Sequence, residues 1–237
     1  MAFNPQANRA YVTNLLDGTV SVVNTLNNTV IATIPVGVSA ERVAVSPGGT
    51  RVYVIGSQEY GSAMITIDAI TNTVLSKAAL NGTGYGIAVH PGGVRVFVAT
   101  QIDWLDVVEI LNNNVTHFDT NDGWMRDIGF SPQGTRLYTT NMDTGTVSVR
   151  NANTYALIDT INVGGTPQGL AVSPDGTRVY VVNQDDHTVS VISTATNNVI
   201  KTVDVGFLPH WIAISPDGTR AYVTNGGSDS VSVLQLV

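Results

Sequence analysis

A proline-anchored unit returns six times along the chain, and it leaves few folds open. The prolines Pro5, Pro47, Pro91, Pro132, Pro174 and Pro216 follow one another at steps of 42, 44, 41, 42 and 42 residues. Each is followed at a fixed distance by an aromatic residue: Tyr11, Tyr53, Phe97, Tyr138, Tyr180 and Tyr222. Self-similarity at this period is the signature of a repeat architecture. The fifth copy shows the unit. An apolar run, Gly169 to Ser173, reads as strand A. Pro174-Asp175-Gly176 is a turn, because Pro presets φ and Gly accepts the left-handed region. The β-branched and aromatic segment Arg178 to Asn183 reads as strand B, Thr188 to Ser193 as strand C, and Val199 to Val205 as strand D after an Asn197-Asn198 turn. Four short strands per unit of about 40–45 residues predict propeller blades rather than a sandwich.

The expected fold is therefore all-β: a six-bladed β-propeller of four-stranded antiparallel blades, the last lacking its outer strand. The sequence reads as a single propeller domain over 1–237, with blades at about 1–37, 38–82, 83–123, 124–164, 165–206 and 207–237. Blade one opens within strand A at Ala2-Phe3-Asn4, and blade six reaches strand C at Val231 to Leu236. A bare strand edge invites pairing, so a homodimer through the incomplete blade is an expected partner arrangement.

The segments Tyr11-Val12-Thr13-Asn14 and Tyr222-Val223-Thr224-Asn225, with Ser215-Pro216-Asp217-Gly218-Thr219-Arg220 and Thr188-Val189-Ser190-Val191-Ile192, resemble the YVTN-family β-propeller repeat. The resemblance runs the length of the chain. It implies the propeller fold and kinship with surface-layer propellers, lactonases, streptogramin-type lyases and cofactor-carrying dehydrogenase subunits, without selecting an activity. Blades two and three depart from the motif, with Gly56 and Thr100 in place of Asn. A unit that only packs has no evident need of that change, so these departures read as marks either of drift or of function.

Composition excludes several functions. A formal net charge of -7 with 11 basic residues argues against nucleic acid as a partner. Six of those residues, Arg9, Arg51, Arg95, Arg136, Arg178 and Arg220, repeat at one blade position and are spread apart. The absence of cysteine excludes disulfides and thiolate chemistry. No apolar run is long enough for a membrane-spanning helix. The start Met1-Ala2-Phe3 is no signal peptide, which fits a cytoplasmic protein if Met1 is the native start, and a secreted or cell-surface one if an export segment was removed.

Strand alternation puts the uniform A–B and C–D turns on one face, and the variable B–C loops and D-to-A connections on the other. Function on repeats is expected where repeats differ. The pairs that precede each apolar strand-A core, Glu41-Arg42, Tyr85-Gly86, Arg126-Asp127, Gln168-Gly169 and His210-Trp211, are expected to line the mouth of a central channel. Glu59, Tyr60, Asp103, Trp104, Trp124, Asp185, Asp186 and His187 stand in the loops of the same face. The expected function is a binding or interaction propeller. Its polar, aromatic-walled pocket would take a small polar molecule, a glycan or a protein segment, with Arg42, Tyr85, Gln168, Trp211, Trp124, Trp104, Tyr60, Glu59 and Asp103 as ligand-binding residues. The alternative is a lyase or hydrolase, with His210 as general acid or base, Arg42 or Arg126 as charge stabiliser, and Glu41 or Asp127 as carboxylate partner. His187 and His210 come from neighbouring blades and, with Glu41 or an Asp, would supply ligands for a divalent cation. Gly82-Thr83-Gly84-Tyr85-Gly86 leads into a strand rather than a helix and fails as a phosphate loop.

Overall fold

The computed structural model describes residues 1–101 and 103–236. The chain divides into two compact units, Met1–Thr120 and Asn121–Val237. In the first unit, blade one comprises β1 (Ala2–Phe3), β2 (Arg9–Asn14), β3 (Thr19–Asn24) and β4 (Thr29–Pro35). Blade two comprises β5 (Ser39–Val45), β6 (Arg51–Ser57), β7 (Ser62–Asp68) and β8 (Thr73–Leu80). Blade three comprises β9 (Gly84–Val89), β10 (Arg95–Thr100), β11 (Trp104–Glu109) and β12 (Val115–Asp119). In the second unit, blade four is β13 (Met125–Phe130), β14 (Arg136–Asn141), β15 (Thr146–Asn151) and β16 (Leu157–Asn162). Blade five is β17 (Pro167–Val172), β18 (Arg178–Asn183), β19 (Thr188–Ser193) and β20 (Asn198–Asp204). Blade six is β21 (Pro209–Ile214), β22 (Arg220–Asn225) and β23 (Ser230–Gln235). Every sheet is antiparallel with neighbours in chain order, five of four strands and the last of three. In blade five the second and third strands fall where the sequence placed them; β17 starts two residues earlier than expected, and β20 is displaced by one.

Blades stack through the repeated aromatic. Tyr11 packs among Val43, Val52 and Val54 of blade two, and Tyr53 among Val96 and Val98 of blade three. In the second unit Tyr138 meets Leu170, Val179 and Val181, and Tyr180 meets Ile212, Ile214 and Val223. The repeated arginines tie the same neighbours: Arg9 donates to the Ala69 carbonyl one blade on, and Arg136 to the Thr194 carbonyl.

The last residue of the motif has a packing role as well. Asn14, Asn141, Asn183 and Asn225 each donate their side-chain amide to two hydroxyls of the following strand, Thr19 and Ser21, Thr146 and Ser148, Thr188 and Ser190, and Ser230 and Ser232. In blade two both hydroxyl positions are lost, to Ala63 and Ile65, together with the Asn. A Cβ on Gly56 would lie 2.2 Å from the Ser39 carbonyl oxygen, so only glycine fits there. In blade three Trp104 and Asp106 stand at those positions, and Thr100 Oγ1 donates to the Trp104 carbonyl at 2.6 Å. The expectation that packing gives no reason for these departures is thus corrected: asparagine and its partners change as a set.

The repeated turns carry a pH dependence. The Asp175 carboxylate accepts hydrogen bonds from the Ser173 hydroxyl and from the backbone N–H and hydroxyl of Thr177. Asp217 does the same with Ser215 and Thr219. These bonds favour the ionised form and bring both groups from an ordinary 3.8 down to about 2. With a folded pKa below the unfolded one, the stabilisation is fully present above the unfolded value and is lost as pH falls from about 4 through about 2. The double variant Asp175→Asn, Asp217→Asn is expected to melt lower at neutral pH and to show a shallower loss of melting temperature between pH 4 and 2 than the parent.

Candidate functional site

The first strand of each blade from two to six is irregular at one place. The pairing register shifts between Ala40 and Arg42 in β5, Met125 and Asp127 in β13, Pro167 and Leu170 in β17, and Pro209 and Trp211 in β21; β9 shifts opposite Ala99 and Thr100, at Gly84–Gly86. The residues skipped by these shifts are Glu41, Tyr85, Arg126, Gln168 with Gly169, and His210. A β-bulge leaves a residue outside the ladder and re-aims its side chain. The residues picked out by the sequence are therefore set apart by backbone geometry as well as by chemistry.

In the second unit they form a chain. Arg126 Nε donates to Gln168 Oε1 at 3.0 Å. Gln168 Nε2 donates to Gln184 Oε1 at 3.2 Å, and Gln184 Nε2 stands 2.7 Å from His210 Nε2. Its direction is fixed from one end. A guanidinium only donates, so Gln168 must present its oxygen to Arg126 and its nitrogen onward, and Gln184 follows suit. The row ends with His210 Nε2 as acceptor, which places the imidazole proton on Nδ1. Gln168 is buried, while Arg126, His210 and Trp211 are half-buried. The Arg126 guanidinium carbon lies 5.7 Å from the centroid of the Trp211 ring, within cation–π range. Gly169 makes this stacking possible: a Cβ there would come within 2.7 Å of the Trp211 ring and 3.0 Å of the His210 carbonyl. Asp127 is turned to its neighbour, its carboxylate accepting the Leu170 N–H at 2.9 Å. An open groove of about 310 Å³ runs beside His210, walled by Thr224, Asn225, Gly226, Asp229, Ser230 and Val231.

The other second-unit residues surround this row. Trp124, in the connection before β13, has its backbone N–H bound by Asp143 at 2.9 Å. His187 takes a positive φ of 57° in the loop after β18, its ring 4.5 Å from Phe207 and its Nδ1 2.9 Å from the Gln184 carbonyl. His187 and His210 thus contact the same residue, one at its backbone and one at its side chain. Asp185 accepts from the Thr166 hydroxyl and Asp186 from the Gly165 N–H, tying this loop to the connection before β17.

In the first unit β5 carries Glu41 and Arg42, and β9 carries Tyr85. Glu41 accepts from the Ser57 hydroxyl at 2.7 Å, and Arg42 Nε donates to the Tyr85 carbonyl at 2.9 Å. Glu59 and Tyr60 lie exposed in the loop after β6. Asp103 adopts a φ of 55°, and its carbonyl receives the Thr120 N–H and hydroxyl. Trp104 stacks on His117 at 6.0 Å, and His117 Nδ1 lies 2.7 Å from the buried Asp106, so this histidine is structural, as is His90, whose Nδ1 accepts the Gly92 N–H in its turn.

Gln184 is the member that the sequence reading missed. It follows the motif asparagine, where the other blades carry Leu15, Ser57, Gln101, Met142 and Gly226, and that variability was its only signal. Among the described residues no three His, Asp or Glu side chains are grouped so as to hold a metal ion, and no helix is long and apolar enough to cross a membrane.

Up-and-down blades in serial order define a β-propeller, and solved structures bear this out. The chain is similar to hydrazine synthase of Kuenenia stuttgartiensis, with 16% identity, a TM-score of 0.70 and coverage of 100% of this chain and 94% of that one. It is also similar to a functionally unknown protein from Desulfotomaculum acetoxidans, with 18% identity, a TM-score of 0.81 and coverage of 96% and 79%. At these identities the likeness establishes the fold alone: six blades of antiparallel strands, the last with three. No family model matches the chain, and no curated protein matches it.

Proposed function

We propose that this chain is a binding propeller of YVTN-like repeats whose second unit presents Arg126, Gln168, Gln184, His210 and Trp211 to a small polar ligand bearing a carboxylate. The observation that carries this reading is the directed row from Arg126 to His210. Four polar side chains from three blades are held in one orientation by hydrogen bonds, with a cation stacked on an aromatic wall. Such pre-organised polar groups beside an open groove suit recognition of an oriented polar molecule, a free sugar acid or the acidic end of a glycan or peptide.

The test is a titration followed by tryptophan fluorescence and calorimetry, with glucuronate as probe and glucose as its uncharged counterpart. Saturable binding of glucuronate is expected to weaken at least tenfold in Arg126→Met, and to be unchanged in Arg178→Met, which alters a repeated arginine away from the row. Equal binding by all three proteins would overturn the reading.

The fixed tautomer of His210 supports the alternative of a lyase or hydrolase, because a neutral imidazole held in one orientation suits proton transfer. In that case His210→Ala abolishes turnover and leaves the melting temperature nearly unchanged. A divalent cation belongs to the same proposal through His187 and His210; its binding at His210 Nε2 requires Gln184 to swing away.

A further inference from the structure

Three arginines of the first unit share one blade position, and one of them is left without a counter-charge. Arg51 stands opposite Asp68 and Arg95 opposite Glu109 across the second and third strands of their blades, and each forms an ion pair there, at 2.8 and 3.6 Å. Arg9 stands opposite Asn24. Among the described residues no carboxylate reaches ion-pair distance of Arg9. Its Nη1 is used on the Ala69 carbonyl, while its Nε and Nη2 make no hydrogen bond among the described residues. Arg9 lines an open notch of about 230 Å³ between blades one and two, with Asn4, Asn8 and Tyr11 of its own blade and Gly49 and Ala69 of the next. Tyr11 is fully buried, and its hydroxyl has no hydrogen-bond partner. Its ring packs among Val43, Val52 and Val54, so the notch is the side from which a polar partner for that hydroxyl would come.

The turn beside Arg9 presents donors. The Arg9 backbone N–H donates to Asn4 Oδ1 at 2.9 Å, which makes the other end of that amide the nitrogen. Asn4 Nδ2 donates to Gln6 Oε1 at 3.0 Å and to Asn8 Oδ1 at 2.7 Å. Gln6 and Asn8 therefore spend their oxygens on Asn4 and keep their NH2 groups for something else. The second unit has a notch of the same size at the same place, between blades five and six, lined by Arg178 and Tyr180 together with Asp175 and Asp217. Those two carboxylates are ionised at neutral pH and repel an anion. In the first unit Gln6 stands in place of Asp175, and Gly48 in place of Asp217. Asp68, in the adjoining turn, is occupied by Arg51 and by the N–H groups of Ile70 and Thr71. We propose that the notch beside Arg9 binds a tetrahedral oxyanion of the phosphate class, free or as the end of a phosphomonoester. The fork of Nε and Nη2 takes two of its oxygens, and the Asn8 amide and the Tyr11 hydroxyl donate to the others.

Inorganic phosphate and glycerol phosphate are titrated against the full chain at constant ionic strength and followed by calorimetry and by melting temperature. Saturable binding with a rise in melting temperature is expected. Tighter binding of the ester assigns the anion to an ester terminus, and equal binding assigns it to the free ion; both sustain the site. Arg9→Met should weaken binding at least tenfold. Asn8→Asp should do the same: it keeps the oxygen that Asn4 holds and turns the exposed amide into a carboxylate. Because Asn8 is exposed, this variant covers the case of an Arg9→Met chain that misfolds. Tyr11→Phe removes a hydroxyl that the fold leaves unpaired, so without phosphate its melting temperature should hold or rise, while the shift produced by phosphate shrinks. No saturable binding of either anion by the parent chain, or binding that Arg9→Met and Asn8→Asp both retain, overturns the proposal. Binding lost in Arg126→Met and kept in Arg9→Met also overturns it, and places the anion in the second unit.

Discussion

Asp122→Ala is expected to destabilise the second unit by about 3–5 kcal/mol, the usual cost of stripping the partner from a buried charge. Asp122 lies in the connection before β13 and grips Arg150 of β15 with both oxygens, at 2.7 Å from Nη2 and 3.0 Å from Nε. Both side chains are almost fully enclosed, at 8% and 6% exposure. The forked guanidinium matches the carboxylate in a way that a lysine would not. Arg150 sits at a blade position where the other repeats place Val23, Ile67, Val108, Ile192 and Leu234. The pair thus replaces an apolar contact rather than extending a polar one. Two buried charges that satisfy each other roughly offset their own desolvation, so an apolar replacement of both is expected to be neutral or stabilising by about 1–4 kcal/mol. Arg150→Ile with Asp122→Ala should therefore recover the stability that Asp122→Ala alone loses. Denaturant midpoints for the two single variants and the double one close the cycle. A mild, additive loss in all three would mean that the pair is a solvated contact and not a buried one.

The blades were legible because the signals that make them are local. Proline and glycine mark the A–B turns, alternating β-branched residues mark the strands, and the aromatic at Tyr11, Tyr53, Phe97, Tyr138 and Tyr180 is buried as its spacing requires. Tyr222 has the same sequence context and is 40% exposed. Sequence context cannot reveal that, because its covering surface would come from a neighbouring blade rather than from its own. The candidate site was legible in part for the same reason. Arg126, Gln168, His210 and Trp211 stand out as non-repeating residues at a repeating position. The bulges that project them depend on the pairing of two strands and leave no mark in one strand's sequence. Gln184 was missed because its role is defined by Gln168 and His210 on either side, in two different blades. Arg150 is one of the five basic residues outside the repeated arginine position, and nothing in its own segment marks it as buried. Its pairing with Asp122 spans 28 residues and comes from a connection without regular structure.

Gly169→Ala is the substitution that should couple fold and site most directly. Gly169 is skipped by the register shift of β17, and an added Cβ would stand 2.7 Å from the Trp211 ring, 3.0 Å from the His210 carbonyl and 3.1 Å from the Trp211 Cα. Two of those three atoms belong to the β21 backbone, so a change of side-chain rotamer does not relieve the contact. β21 must move away from β17, at an overpacking cost of about 1–3 kcal/mol. That movement carries His210 away from Gln184 and Trp211 away from Arg126, and breaks the row at its last bond and its cation–π contact together. The expected result is a lowered melting temperature, a shifted tryptophan emission, and loss of glucuronate binding on the scale of Arg126→Met, although no ligand-facing group has been removed. If binding survives while the melting temperature falls, the position of β21 matters to packing alone, and Trp211 and His210 are not part of the recognition surface.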